Sequence, residues 1–324
     1  HTSGKLNTTG AANFAGGLES LRDNTTGSYN VALGETALLN NTTSNNTAIG
    51  YRASQSNTTG ASNSSLGQEA LRYNKTGASN VAIGDSSLRG VINNSHSNNT
   101  AIGYRAGYGI TTGSWNFFGG KEAAQNNTTG ANNIALGGMT MNFNTTGGNN
   151  VAVGMQSLYR NVTGSGNSAY GYQALLGASG QSHSNNTAIG YEAGYSITTG
   201  GVNFFGGYQA GYTHTTGNFN SFLGSQAGFN STTGSSNTFT GQQAGYSNTT
   251  VSGNTATGRE ALKFNATGTG NVALGYNSLY GVSGNSHSNN TAIGYEAGYS
   301  VTTGSNNFFG GQTSGRSTTT GYSN

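Results

Sequence analysis

Polar and apolar residues alternate from Asn80 to Gly84 with the two-residue period of a β-strand. Val81 and Ile83 share one face of such a strand, and Ala82 lies on the other. We expect the Val81 face to fill a core. Because strands that are apolar on both faces are usually covered on both, the Ala82 face should lie against a neighbour.

This five-residue unit recurs along nearly the whole chain, always closed by a glycine and opened by an asparagine four residues earlier. The closing glycines, called anchor glycines below, are Gly17, Gly34, Gly50, Gly67, Gly84, Gly103, Gly120, Gly137, Gly154, Gly171, Gly190, Gly207, Gly224, Gly241, Gly258, Gly275, Gly294 and Gly311. Most steps between them span seventeen positions, with one step of sixteen and three of nineteen. The anchors Asn80 and Gly84, Asn186 and Gly190, and Asn290 and Gly294 represent the pattern. Such regular spacing predicts a repeat array with structural anchors.

Each repeat contains a short strand, a glycine corner, a second apolar segment such as Gln68–Leu71 and a polar turn such as Asn24–Gly27. Seventeen residues are too few for a helical hairpin, and Gly, Asn and Thr form helices poorly. The chain therefore predicts an all-β fold, a β-solenoid or parallel β-roll of about eighteen 17-residue coils with two short strands per coil, stacked about 4.8 Å apart. We expect one repetitive domain over residues 1–324, which is a segment of a longer fibre if the chain continues.

Three repeats replace the usual Thr-Ala-Ile triplet by Phe-Phe-Gly, at Phe117–Gly119, Phe204–Gly206 and Phe308–Gly310. A large residue enters at the alanine position while glycine replaces the aliphatic neighbour, as in volume compensation within a packed interior. Duplication of one block explains the pattern equally well, because each triplet follows a longer, nineteen-position coil containing Ser-His-Ser-Asn-Asn-Thr. The two extra residues of those long coils should bulge from a turn.

The composition narrows the functional classes. The chain has 56 Gly, no Pro, no Cys and only 6% charged residues, and its formal charge of +3 is spread along it without a basic cluster. Nucleic acid is therefore not an expected partner. No apolar run is long enough to span a bilayer and no signal peptide begins at His1, so we expect a mature or trimmed segment. The repeat runs to the next anchor position at Asn324 without a polar cap, which predicts end-on association into filaments or continuation of the chain.

Candidate catalytic and metal-binding groups are sparse. His96, His183 and His287 occupy equivalent positions, but five or more coils separate them, and only three chains meeting on an axis would bring copies of one histidine together. The glutamates of the second segment have no regular carboxylate partner for acid-base catalysis, and the two aspartates are too few for a calcium-binding roll. We expect no enzymatic activity, cofactor or metal.

One row of turn asparagines heads Asn-x-Thr sequons and is expected to be exposed. The candidate N-glycosylation sites are Asn7, Asn24, Asn41, Asn57, Asn74, Asn127, Asn144, Asn161, Asn248 and Asn265. Stacked coils would align them into a rib of glycans. The alternative is that Asn and Thr form a hydrogen-bonded turn ladder.

Two further rows suggest binding surfaces. Pairs of adjacent threonines in the turns suggest ice binding as a hypothesis. Neighbouring residues along a strand cannot share one face, which is unfavourable for a flat threonine array. The pairs are Thr111-Thr112, Thr198-Thr199, Thr215-Thr216 and Thr302-Thr303. Tyrosines that follow anchor glycines would either stack on sugars or pack against one another; they are Tyr51, Tyr104, Tyr191, Tyr208, Tyr276 and Tyr295.

The stretches Asn80–Gly84, Asn186–Gly194 and Asn290–Gly298 resemble the head repeats of trimeric autotransporter adhesins and related β-roll repeats of bacterial and phage tail-fibre-like proteins. The resemblance covers essentially all coils. It implies a left-handed parallel β-roll, three chains around an axis, and attachment to host surfaces or matrix. The adhesin repeat is shorter than the repeat of this chain, and this sequence contains no coiled-coil stalk.

Together these features predict an extracellular or cell-surface structural fibre or filament subunit with an adhesive or matrix role. It would self-associate as a homo-oligomer or filament, with a trimer as one form, and host-surface or matrix glycans are candidate partners. The alternatives are a glycan-decorated protective fibril and an ice-binding solenoid.

Overall fold

The computed structural model describes residues 3–323, so the anchor position at Asn324 lies outside the described residues. Eighteen strands of three residues follow one another, one in each coil, with no helix among the described residues. They are β1 Phe14–Gly16, β2 Val31–Leu33, β3 Thr47–Ile49, β4 Ser64–Leu66, β5 Val81–Ile83, β6 Thr100–Ile102, β7 Phe117–Gly119, β8 Ile134–Leu136, β9 Val151–Val153, β10 Ser168–Tyr170, β11 Thr187–Ile189, β12 Phe204–Gly206, β13 Ser221–Leu223, β14 Thr238–Thr240, β15 Thr255–Thr257, β16 Val272–Leu274, β17 Thr291–Ile293 and β18 Phe308–Gly310. The predicted all-β solenoid is confirmed.

Internal contacts divide the chain into two compact units, the first ending at Ser165 and the second beginning at Gly166. Within each unit every strand pairs in parallel with the next, and the register places equivalent repeat positions opposite one another, as Ala82 faces Ala101. The register follows from the repeat, because a shift of one residue would exchange the two strand faces in every coil. Whether residues 1–324 form one domain stays a prediction.

The prediction of a second strand in each coil is wrong. The residues after an anchor glycine, here called the turn segment, form successive turns in which Ser87 N–H donates to Gly84 O at 3.3 Å. Residues two and four places after the glycine have positive φ, 56° at Ser86 and 44° at Leu88, which a β-strand does not allow. Coils still bond to one another here, since Leu71 N–H donates to Ser87 O at 2.9 Å.

The two faces of the strand are opposite to those predicted. Ala82 is fully buried inside the coil, whereas Ile83 is 38% exposed and Val81 is half-buried. The middle residue is buried in every strand except β1, and Gly206 at the end of β12 is the one outer position that is buried too. The reason is that Leu88 reaches into the same interior from the turn segment, so the strand wall has room only for a small residue. The aliphatic side chains therefore point outward.

The anchor residues are explained by close backbone stacking. Gly84 has φ of +123°, and a Cβ there would lie 2.7 Å from the carbonyl oxygen of Gly103 in the next coil. Asn80 is fully buried and its Oδ1 accepts from the backbone N–H of Asn99 at 3.1 Å, while its Nδ2 donates to His96 O at 2.9 Å. The anchors at Asn186 and Asn290 make equivalent contacts, so one asparagine per coil links consecutive coils.

Large interior residues are matched by small ones in the turn segment. Phe118, Phe205, Phe222, Phe239 and Phe309 occupy the inner strand position, and the residues four places after the anchor glycine in their coils are Ala124, Gly211, Gly228, Gly245 and Gly315. Volume compensation is thus present, but the prediction that the glycine next to the phenylalanine provides it is wrong. Gly119 follows Phe118 on the outward side of the strand and makes no room for it.

The extra residues of the long coils bulge outward, as predicted. In the first of these coils Val91 and Ile92 are 46% and 63% exposed. His96 closes the bulge with its ring buried in the coil interior, 2% exposed. Its backbone N–H donates to Asn74 Oδ1 at 3.0 Å, so the histidine joins the interior row that turn asparagines form in other coils.

Candidate interaction surfaces

The sequon asparagines are inside the solenoid rather than exposed. Nine of the ten are at most 1% exposed, and only Asn7 is on the surface. Asn57 Nδ2 donates to Asn41 Oδ1 at 2.7 Å and to Gly60 O at 2.9 Å, so the nitrogen that would carry a glycan is used inside the coil. This arrangement corresponds to the hydrogen-bonded turn ladder that we gave as the alternative to an exposed row of glycans. Glycosylation itself stays a prediction.

The three equivalent histidines are separate buried groups. His96, His183 and His287 are at most 2% exposed, so copies from different chains cannot converge on an axis through these side chains. Burial lowers the pKa of each to about 4. No group of three or more potential metal ligands occurs within residues 3–323. These histidines therefore form no shared site among themselves.

The outward side of the strands, here called the strand face, is uncharged and carries exposed apolar residues interspersed with Ser and Thr. It consists of the first and third residue of each strand, and none of these is Asp, Glu, Lys or Arg. In the second unit Ile189 and Leu223 are 49% and 48% exposed. Between them, Gly206 leaves an apolar pocket of about 460 Å³ walled by Phe204. Because contiguous exposed apolar residues are typical of interaction sites, this part of the strand face is a candidate binding surface.

Tyrosines after the anchor glycines stack along the coils. Tyr172, Tyr191 and Tyr208 have ring centroids 5.2 and 5.5 Å apart, and Tyr276 and Tyr295 are 5.3 Å apart. Each ring covers one face of its neighbour, and the five rings are 37–50% exposed. Sugar stacking needs an open ring face, so the packing alternative describes these rows better.

A second aromatic row lies beside the first in the turn segment. Tyr195, Tyr212, Phe229 and Tyr246 stack with centroids 4.9 to 5.2 Å apart. Burial and the Glu192 carboxylate raise the pKa of Tyr212, which places the glutamate near this row. Burial, as the larger cause, and the Glu192 carboxylate also raise the pKa of Tyr191 in the first row. Glu192 therefore lies close to both aromatic rows.

Two other second-segment glutamates, Glu260 and Glu296, form surface ion pairs. Glu296 binds Arg316 at 2.6 Å, and Glu260 lies 3.4 Å from Lys263. The Arg316 side chain is 55% exposed, so this pair contributes about 1 kcal/mol or less. Neither glutamate has a carboxylate partner of the kind that acid-base catalysis requires.

Adjacent turn threonines have different surroundings, as their spacing predicted. Thr111 Oγ1 donates to Thr128 O in the next coil at 3.1 Å, whereas Thr112 is exposed. Only the second threonine of each such pair is available to solvent in this way. The turn pairs therefore do not build a flat two-column array.

Arginines gather in the first unit where the sequence predicted no basic cluster. Arg52, Arg72, Arg89 and Arg105 belong to four successive coils. Glu69 lies 2.6 Å from Arg72, 2.8 Å from Arg89 and 3.9 Å from Arg52. Successive arginines are about one coil apart along the chain, which conceals the cluster in a linear reading. That coil-length separation is the signal that reveals it.

Tyrosines hold these guanidinium groups in place. Arg72 and Arg89 lie over Tyr73, each 4.6 Å from the ring centroid. Arg89 and Arg105 lie 5.2 and 5.4 Å from the Tyr108 centroid, and Arg89 Nη1 donates to the Tyr108 hydroxyl at 3.0 Å. We call the four arginines with Glu69, Tyr73 and Tyr108 the Arg–Tyr patch. Cation–π contacts of this kind fix the positions of the cations.

Comparison with protein families, curated proteins and solved structures found no match to this chain. Within residues 3–323 no helix is long and apolar enough to cross a membrane. The described residues present three candidate interaction surfaces: an uncharged strand face, the stacked tyrosines and the Arg–Tyr patch.

Proposed function

We propose that this protein is an extracellular structural fibre subunit with an adhesive or matrix role, and that copies associate laterally through the strand face. The observation that carries the proposal is the strand face itself, in which exposed aliphatic residues such as Ile83, Ile189 and Leu223 recur without any charge. Interfaces are depleted of charged residues at their centre, and lone soluble chains seldom expose such a surface.

A second copy of this chain is the occupant that best fits the face. Apolar side chains and glycine gaps recur at coil spacing, and another copy presents the same spacing. The pocket between Ile189 and Leu223 would accept an outward side chain of that copy. The low charge of the chain further reduces repulsion between aligned copies. A trimer, as implied by the family resemblance, is one closed form of this association.

The test places charge on the strand face. Ile189→Lys combined with Leu223→Lys should shift the protein from an assembled form to a monomer, because each lysine would be buried unpaired in the interface. A matched control is Gln209→Lys with Gln226→Lys in the turn segment of the same unit. Light scattering coupled to size-exclusion chromatography, with electron microscopy of the native particle, measures the result. A monodisperse wild-type monomer at high concentration would contradict the proposal.

Ice binding is a second candidate function because two neighbouring strands, β14 and β15, carry outward threonines. Thr238 and Thr240 lie outward on β14, directly opposite Thr255 and Thr257 on β15. Unlike the turn pairs, these four share one face. Leu223 and Leu274 interrupt the array on either side, so its area is small. Absence of thermal hysteresis would remove this candidate.

A further inference from the structure

The Arg–Tyr patch concentrates positive charge in a chain that has little charge elsewhere. Its four arginines lie in coils whose turn segments hold two carboxylates, Glu69 and Asp85, which leaves a net charge of +2. Glu69 is shared among three guanidinium groups. The Asp85 carboxylate accepts from the Ser86 hydroxyl at 2.6 Å and has no ion pair within residues 3–323. The cations are therefore only partly neutralised.

Two of the arginines retain unused hydrogen-bonding capacity. Arg105 is half-buried and has no ion pair among the described residues; its Nε is buried, so its terminal guanidinium nitrogens are the donors that a polymer can reach. Arg52 reaches Glu69 only at 3.9 Å, and its side chain is 36% exposed. Arginine donors in fixed positions bind sulfate and carboxylate groups by charge-assisted hydrogen bonds. Tyr104 and Tyr108 fix Arg105 from two sides, at 5.1 and 5.4 Å.

We propose that the Arg–Tyr patch binds an anionic polysaccharide, a sugar chain with repeated sulfate or carboxylate groups. This inference deepens the adhesive part of the proposed function and rests on it. The cations recur over four coils that are about 4.8 Å apart, so the patch suits a ligand with repeated charges along its length. Exposed amides such as Gln68 lie in the same turn segments and can bond sugar hydroxyl groups.

The aromatic geometry favours a polysaccharide over single-stranded nucleic acid. Bases bind single-strand platforms by stacking on open aromatic faces. Guanidinium groups of Arg72 and Arg89 approach Tyr73, and those of Arg89 and Arg105 approach Tyr108, so these rings offer bases little free surface. A ligand recognised by charge and hydroxyl groups does not need such faces.

The experiment measures binding of four fluorescent probes to the full chain at low salt: dextran sulfate, polygalacturonate, neutral dextran and an oligothymidine. We expect one or both acidic polymers to bind and neutral dextran not to bind; the sulfated and carboxylated probes distinguish the two anion types. Arg52→Gln with Arg105→Gln should weaken binding about tenfold or more, since two charge-assisted contacts are lost. Arg160→Gln with Arg259→Gln is the matched control for charge and should change binding less than about twofold.

Three results would overturn the inference: no binding of either acidic polymer, an equal loss in the control variant, or binding of an oligothymidine as tight as that of the acidic polymers. Light scattering on the same variants separates this inference from the proposed function. The substituted arginines lie outside the strand face, so assembly should be unchanged while polymer binding falls. Binding by a protein that proves monomeric would support the patch and reject lateral assembly.

Discussion

The ring of Phe118 fills the space that a leucine occupies in neighbouring coils: a Cβ added to Gly107 would lie 2.8 Å from Cδ2 of Phe118. In the coils before it, Leu71 and Leu88 hold the position of Gly107 and alanine holds that of Phe118. Gly107 has φ of +62° and Leu88 has φ of 44°, so leucine tolerates this backbone. The limit at Gly107 is therefore volume rather than conformation.

Gly107→Leu should lower the free energy of unfolding by about 1–3 kcal/mol through overpacking. Phe118→Ala should lower it by about 3–5 kcal/mol because it leaves a cavity. The double variant restores the Leu–Ala pairing of neighbouring coils. Its loss in the free energy of unfolding should therefore be smaller than the sum of the losses of the two single variants. Urea unfolding followed by circular dichroism measures this coupling, and strict additivity would contradict the pairing.

Asn80→Ala should destabilise the first unit by about 2–5 kcal/mol, because it removes the acceptor for Asn99 N–H and the donor to His96 O inside the coil. The half-buried Asn230, in a turn segment, provides the control. Asn230→Ala should cost less than about 1 kcal/mol. Equal unfolding midpoints for the two variants would show that the anchor asparagine is replaceable.

Acid should destabilise the protein through its buried histidines. The pKa of His96, His183 and His287 is about 4 in the folded protein and near 6.5 when exposed. The unfolded chain therefore takes up protons first, so stability is full above pH 6.5, falls as the pH drops, and levels off below about 4. Each histidine should lower the free energy of unfolding by about 2 kcal/mol at pH 5 relative to pH 7.

The measurement compares urea midpoints at pH 7 and pH 5 for the wild type and for a variant with all three histidines changed to glutamine. The variant should lose most of the pH dependence over this range, although it begins from a lower stability. The carboxylates are the same in both proteins, so their contribution to the pH dependence cancels in the comparison. An unchanged difference between the two midpoints would contradict a role for these histidines.

Glycosylation at the buried sequons should be incompatible with the fold. Asn144 is fully buried, and its Nδ2 donates to Asn127 Oδ1 at 2.7 Å, so a glycan there would prevent the coil from closing. In a host that attaches N-linked glycans, folded protein should carry none at the nine buried candidate sequons, whereas Asn7 and other exposed sequons such as Asn45 and Asn126 are open to modification. Intact mass and glycopeptide mapping test this, with Asn7→Gln as the control. A folded fraction glycosylated at Asn144 would contradict the interior placement.

The amino-acid pattern alone was enough to predict the repeat, its coil length and the need for anchors such as Asn80 and Gly84, because each coil must stack on the next and equivalent positions meet one another. It also located the bulge at His96, since two extra residues in a stacked coil must leave the register. Alternation showed that both faces of Val81–Ile83 are apolar. It did not show which face is inside.

Which face is buried depends on tertiary packing, because the strand shares the interior with a turn segment whose conformation the sequence pattern did not reveal. Leu88 fills the coil from the opposite wall, so the small residue Ala82 turns inward and Ile83 turns outward. The same closure buries the sequon asparagines. It also brings Arg72 and Arg89, one coil apart in the chain, onto one tyrosine ring, because stacking converts a separation of one coil into direct contact.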